Sequence, residues 1–288
     1  YGDHRDLHLS IRRQRQMCIR DRYMASVARR VSDGNVVVVV GHQGEQVKVF
    51  LDQEKKVLEP FMTAVQTKQL GTGHAVQQAK AHLLSKGKPV SELCIILNGD
   101  TPLLTQSTVE QLISQHRDMQ ATVTMLTTEL ENPHGYGRVI REANGQVLKI
   151  VEDRDATARE KSNKEINVGT YVVKCSFLFK ALDELKPNNA QGEYYLTDII
   201  SFAVAKGLRV SAMKTADSAE CFGINSREHL SFAEQVMRSR IRSRWLQAGV
   251  TMLDPKTTLI DDTVEIGQDT VLYPGVTIEG ATKIGSES

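Results

Sequence analysis

Apolar residues follow two different rhythms along this chain. Asn35 to Val40 is a continuous β-branched run that stops at Gly41-His42, as a strand buried on both faces does. Leu93 to Leu97 is a second such run, closing on Asn98-Gly99-Asp100. Between them, Thr72 to Leu84 places Ala75, Val76, Ala79 and Leu83 on one side of a helix, and Gly44 to Leu58 also reads as helical. Ser107 to His116 predicts a helix and Ala121 to Thr127 a strand. Such alternation predicts an α/β fold with a mainly parallel sheet whose ligands sit at the carboxyl ends of its strands.

The middle of the chain is richer in strands. Gly137 to Arg141, Val147 to Val151 and Asn167 to Val173 read as extended, with Ala143-Asn144-Gly145 turning a hairpin between the first two. Ser176 to Leu185, Tyr195 to Ala205 and Ser226 to Ala248 read as helices. The period then changes to six: Ile260, Ile266, Leu272, Ile278 and Ile284 recur in step, with Thr258, Val264, Thr270, Val276 and Thr282 two places earlier. A hexapeptide period predicts the first coils of a left-handed parallel β-helix. The organisation expected is a basic segment over 1–22, an α/β domain over 23–247, and the start of the β-helix over 248–288.

Charge adds little to this picture except at the front. The net charge is +1, which argues against recruitment of nucleic acid or a membrane surface by bulk field. Residues 1–22 hold six arginines against three aspartates and sustain no apolar period, so they read as an unstructured or non-native tail rather than a nucleic-acid arm. The four cysteines (Cys18, Cys94, Cys175, Cys221) have no metal-ligand spacing, and a reducing cytoplasm fits them. No apolar run approaches a membrane span or a signal-peptide core.

Two segments carry candidate chemistry on their own. Gln69 to Ala75 (QLGTGHA) sets two glycines around a threonine at a helix start, where backbone N–H groups can approach a ligand or simply make a turn. Asp100, after a buried strand and before Thr101-Pro102, is either a carboxylate ligand for Mg²⁺ or a helix cap. Asn225-Ser226 before the long helix is good capping chemistry. His134 to Ile140, Ile150 to Thr157, Glu165 to Val173 and Asn188 to Ile200 could each be turns or caps when taken singly.

Taken in order, these motifs (Q-x-x-QLGTGHA, NGDTPLL, GYGR, IVE, EIN-x-G, NNAQGEYY-x-TD, G-x-N-x-R) resemble a family of bifunctional bacterial enzymes, the N-acetylglucosamine-1-phosphate uridylyltransferase/glucosamine-1-phosphate acetyltransferases. The resemblance covers about residues 24–288, and it implies that the α/β domain over 23–247 is a Rossmann-like nucleotidyltransferase domain. It implies uridylyl transfer from UTP to N-acetylglucosamine 1-phosphate with Mg²⁺, and homotrimers formed through the β-helix. Gln66 would bond the uracil edge, Gly71 and Thr72 would cradle the uridine, and Gly99 would also touch substrate. Asp100 and Asn225 would act in catalysis by holding the metal. Gly137, Glu152 and Asn167 would bind the sugar's hydroxyls and amide, and Glu193, Tyr195 and Thr197 would line its pocket.

Two departures bear on these expectations. The family opens with a strand and a loop of the type LAAGxGTRM followed by Pro-Lys, and residues 1–22 hold neither Gly-x-Gly nor Pro-Lys. The family's acetyltransferase residues fall beyond Ser288. The chain therefore reads as a gene fragment with little turnover of its own. A non-catalytic sugar-nucleotide binder and a transferase for another hexose 1-phosphate are the alternatives.

Overall fold

The computed structural model describes residues 23–32, 35–41, 44, 47–49, 61–84, 91–224 and 226–288. The chain packs as two units, residues 1–221 and 222–288, so the long helix groups with the hexapeptide repeats rather than with the α/β part. Residues 1–22 lie outside the described residues. Of the helix expected over 44–58, residues 44 and 47–49 are helical and the rest also lie outside.

In the first unit a helix over residues 23–31 (α1) leads to β1 (Val36–Val40), which pairs in parallel with β2 (Phe61–Val65), Val36 opposite Phe61. Helix α2 (Thr72–Leu83) packs on both strands. Then follow β3 (Leu93–Ile96), α3 (Gln106–Asp118), β4 (Val123–Glu129), the hairpin β5 (Arg138–Arg141) and β6 (Val147–Val151), and the single turn α4 (Ala158–Lys161). The unit continues through β7 (Glu165–Lys174), α5 (Cys175–Glu184), α6 (Asp198–Ala205) and β8 (Val210–Lys214). The main sheet has the order β6-β5-β7-β4-β8, with β3 also on β7. Strands β3, β4, β5 and β8 share one direction, and β7 and β6 run against them.

The sheet separates two cores, as alternate residues of a strand demand. On one face Cys94 and Ile96 join α2, α5 and α6 through Val76, Leu83, Phe179, Leu182 and Ile199. On the other, Leu93, Ile95 and Leu97 join α1 and α3 through Met24, Val31, Val109 and Leu112. Helix α3 is capped by Thr105, whose hydroxyl accepts from Thr108 N at 3.2 Å while Glu220 accepts from Thr105 N at 3.2 Å.

Between β1 and β3 lies a cavity of about 650 Å³. Val37, Val38 and Val39 line it and are only half-buried, in a strand whose composition suits burial on both faces.

The second unit starts with α7 (Arg227–Gln247), whose N-cap Ser226 accepts from His229 N at 3.1 Å. Six two-residue strands follow, β9 (Thr251–Met252) to β14 (Lys283–Ile284). They pair in parallel one above another: Leu259 opposite Thr277, Glu265 opposite Lys283, and Thr251 opposite Val271. Ile260, Val264, Ile266, Leu272 and Ile278 point into one core with Ile241 of α7, which is what the six-residue period requires.

Candidate active site

Strand β7 organises the site. Its second half, Tyr171 to Lys174, pairs with β3 along one edge and β4 along the other. Its first half pairs with β4 and meets β5 at Ile166–Arg138. Between the halves the register slips, so that Val168, Gly169 and Thr170 oppose Leu126 alone. Such a bulge bends a strand and re-aims its side chains. Here it lies where β3 ends and β5 begins.

Only glycine suits the bulge. Gly169 has φ +82°, and a Cβ there would lie 2.1 Å from Asn98 Nδ2. Asn98 in turn donates to Val168 O at 3.4 Å. Asn167 accepts from Gly169 N through Oδ1 at 3.2 Å, bonds Tyr171, and donates its backbone N–H to Gly137 O at 2.9 Å. Gly137 is buried, and a Cβ on it would lie 3.3 Å from Glu152 Oε2. Thr197 holds the N-cap position of α6, yet its hydroxyl donates to Glu152 Oε1 at 3.0 Å instead of capping the helix. Gly137, Glu152, Asn167 and Thr197, far apart in sequence, thus form one wall.

The loop before α6 joins this wall to α2. Asn189 folds the loop, accepting through Oδ1 from Gln191 N (3.2 Å) and Glu193 N (3.1 Å) and donating to Glu193 O (2.6 Å). Tyr195 is buried, and its hydroxyl accepts from Gln191 Nε2 at 2.8 Å. Tyr194 N donates to Leu70 O (2.8 Å), Gly73 N to Tyr194 O (2.7 Å) and Leu196 N to Thr72 Oγ1 (3.1 Å). Gly71 has φ +101°, and a Cβ there would lie 2.7 Å from Tyr194 O and 2.9 Å from Glu193 Cβ. Gln66 donates to Gly71 O at 3.0 Å and lies 2.9 Å from His74 Nδ1.

At the other end, Asp100 follows β3 in a turn held by Thr101 Oγ1 donating to Asn98 O at 3.1 Å. Gly99 beside it is open, with nothing within 4 Å of a Cβ. Asp100 is half-buried and, since Thr105 caps α3, it is not that helix's cap. Asn225 lies outside the described residues, so its expected pairing with Asp100 is not placed. No group of three or more His, Cys, Asp or Glu able to hold a metal occurs among the described residues.

The electrostatics of the wall are acidic. Burial pushes the Glu152 carboxyl above its usual range, Thr197 opposes this, and Asp155, Asp198 and Asp153 push it further up. Burial and then Asp155 do the same to Asp198. Asp155 also accepts from Ala190 N at 2.9 Å. Crowded carboxylates of this kind suit hydroxyl and amide groups and repel phosphate. Asn98, Asp155, Tyr171, Asn189 and Asp198 were not singled out from the sequence. Each of the five stood inside a segment already marked there, but none was picked out within it as a residue of the site.

A family model described as Nucleotidyl transferase matches residues 17–249. The chain is 48% identical over 244 residues to the Bifunctional protein GlmU of Acetivibrio thermocellus, covering 85% of this chain and 51% of that protein. It is 46% identical over 250 residues to that of Halalkalibacterium halodurans, covering 87% and 53%. The chain thus spans about half the length of the curated relatives it matches. Among solved structures, a UDP-glucose pyrophosphorylase complexed with UDP-glucose superposes with TM-score 0.56 at 16% identity, covering 76% of this chain and 86% of that one. A nucleoside-diphosphate-sugar pyrophosphorylase from Vibrio cholerae RC9 gives 0.55 at 13%, covering 72% and 82%. These two likenesses concern the fold.

Proposed function

The chain belongs to the nucleotidyl transferase family, and on that premise we propose that its first unit serves uridylyl transfer from UTP to N-acetylglucosamine 1-phosphate. A phosphate oxygen of the sugar phosphate attacks the α-phosphorus of UTP. The new P–O bond forms as the α–β bridging bond breaks, and pyrophosphate leaves with the electron pair. No covalent intermediate with the protein is required, so the residues position and orient the reactants. Gln66, Gly71 and Thr72 take the uridine. Gly137, Glu152, Asn167 and Thr197 take the sugar, with Glu193 and Tyr195 completing the pocket.

One observation carries this reading. The contacts from Gln66 through Gly71 and Leu196 to Thr197, Glu152 and Asn167 join motifs from both halves of the unit into one wall. Its acidic, burial-raised end suits a sugar, and its glycine-rich end, opening helix α2, suits a nucleotide.

Asp100 fits Mg²⁺: one half-buried carboxylate beside open Gly99 is how this ion is held, by one or two carboxylates with substrate phosphates completing the shell. Bound there, it would neutralise charge on the phosphates. In the second unit we read the stacked pairs as the first coils of a left-handed β-helix, the part through which the resembling family trimerises. A cytoplasmic setting fits the reading, and no described helix is long and apolar enough to cross a membrane.

The test is pyrophosphate release from UTP with N-acetylglucosamine 1-phosphate, glucose 1-phosphate or neither, with and without Mg²⁺. The reading expects metal-dependent release with the N-acetylated sugar above the other two, lost in Asp100→Ala at unchanged melting temperature. A preference for glucose 1-phosphate, or an Asp100→Ala variant of full activity, would overturn it.

A further inference from the structure

The side-chain amide of Gln66 is held by two acceptors on its nitrogen side. The residue is first anchored through its backbone, whose N–H donates to Val40 O at 2.8 Å where β1 ends. Nε2 then lies 3.0 Å from Gly71 O and 2.9 Å from His74 Nδ1. A carbonyl oxygen only accepts, so the amide atom facing Gly71 is the nitrogen, and one of its two hydrogens is used there. The other points to His74, whose Nδ1 must accept it.

That requirement fixes the tautomer of His74. A neutral imidazole accepts through one nitrogen and donates through the other. Gln66 stands 2.9 Å from Nδ1 and Gln78 stands 3.2 Å from Nε2, so the lone pair sits on Nδ1 and the proton on Nε2. Gln78 keeps a separate bond, donating to His74 O at 3.2 Å. The His74 ring is half-buried in the first turn of α2, with the Tyr194 ring 6.4 Å away, centre to centre.

With both hydrogens of Nε2 engaged, Gln66 has only Oε1 left for a ligand. This oxygen faces the carboxyl end of β1, since a Cβ built on Gly41 would lie 4.0 Å from it. Ligands of α/β sheets bind at the carboxyl ends of strands. A lone acceptor there selects a base that donates. Uracil carries N3–H between two carbonyls, whereas cytosine presents a bare N3 lone pair on the same edge. A half-turn of the amide would set Oε1 against Gly71 O and His74 Nδ1, which leaves three acceptors facing one another without a hydrogen.

We propose that His74 is the positioning residue for base selection: by accepting at Nδ1 it locks the Gln66 amide with Oε1 toward the ligand, so that the site takes uracil and rejects cytosine. This role rests on the reading that Gln66 meets the uridine base. Gly71 O supplies only one of the two acceptors. Without His74 one amide hydrogen is free to turn to the base, where it serves the N3 lone pair of cytosine as Oε1 serves the N3–H of uracil.

The test is calorimetric titration of UTP and of CTP, with Mg²⁺, into the parent, His74→Leu, His74→Phe and His74→Asn. Leucine and asparagine branch alike at Cγ, but only asparagine offers an acceptor, Oδ1, in the place of Nδ1. The parent should bind UTP at least roughly thirtyfold tighter than CTP, as a site built on hydrogen bonds allows. His74→Leu and His74→Phe should each cut that ratio at least tenfold at unchanged melting temperature, and His74→Asn should restore most of it. If one of the two apolar variants does not fold, the other carries the comparison. A merely structural role would weaken both nucleotides together and leave their ratio. An unchanged ratio in the apolar variants, or His74→Asn no better than His74→Leu, would overturn the role of His74 and leave the uridine reading standing. A parent that binds the two nucleotides equally, or neither, would overturn both.

Discussion

Gly71→Ala tests most sharply how the α2 end of the site is built. Gly71 has φ +101° and ψ 175°, a region that glycine alone adopts freely, and forcing another residue there costs about 1–3 kcal/mol. The added Cβ would also lie 2.7 Å from Tyr194 O and 2.9 Å from Glu193 Cβ, so the backbone of 193–194 must move. That motion strains two hydrogen bonds, Gly73 N to Tyr194 O at 2.7 Å and Tyr194 N to Leu70 O at 2.8 Å, each contributing about 1 kcal/mol. The total is about 3–5 kcal/mol. In a unit of this size it lowers Tm by roughly 6–20 °C. Gly135→Ala is the control: φ is +84°, but nothing lies within 4 Å of its Cβ, so the backbone contribution stands alone. Thermal unfolding followed by circular dichroism decides between them. A Gly71→Ala protein that melts no lower than Gly135→Ala would refute the close approach of the 193–194 loop to α2.

Two carboxylates give pH predictions of opposite sign. The folded pKa of Glu152 is raised from its ordinary 4.5, so the stability it contributes is full below 4.5 and is lost as pH rises through the raised value. Glu152→Gln should therefore melt about 2–4 °C higher than the parent at pH 7.5, the size expected of roughly 1 kcal/mol, and match it below pH 4.5; a lower Tm at pH 7.5 would contradict this. Burial pushes the Glu165 carboxyl up, but Arg141, which donates Nη2 to Oε1 at 2.6 Å, and Thr127 at 2.9 Å together hold it below 4.5. Its contribution is present above pH 4.5 and lost as pH falls through the lowered value, so Glu165→Gln should cost about 2 kcal/mol at pH 7, discounted for the part-exposed Arg141, and progressively less in acid. Urea unfolding at pH 7 and pH 3.5 reads the difference, and an equal cost at both would refute it.

Local pattern made much of this fold legible. Val147 to Val151 forms the strand its alternation predicts, and the Asn144-Gly145 turn closes as expected, Asn144 Oδ1 accepting from Gln146 N at 2.8 Å. Strands β2 (FMTAV) and β8 (VSAMK) escaped notice because short runs with methionine, alanine and serine carry little β signal; pairing with β1 and β4 makes them strands. Thr197 read as lying inside a helix from Tyr195, yet α6 begins at Asp198, since Thr197 turns its hydroxyl to Glu152. The bulge at Gly169 could not be read locally, because it follows from β3 and β5 sharing one edge of β7. The resemblance supplied the roles of Gln66, Glu152 and Asn167, and spacing alone would not have joined them.

The most direct measurement is calorimetric titration of the chain and its Asn167→Ala variant with UDP-N-acetylglucosamine and UDP-glucose, with Mg²⁺ present. The account predicts that the parent binds the N-acetylated nucleotide at least tenfold tighter than UDP-glucose. It also predicts that Asn167→Ala, which removes the side chain bonded to Gly169 N and Tyr171, loses at least tenfold for the first ligand and little for the second. Equal affinities in the parent, or an Asn167→Ala protein that binds both ligands as the parent does, would contradict the assignment of this wall to the sugar.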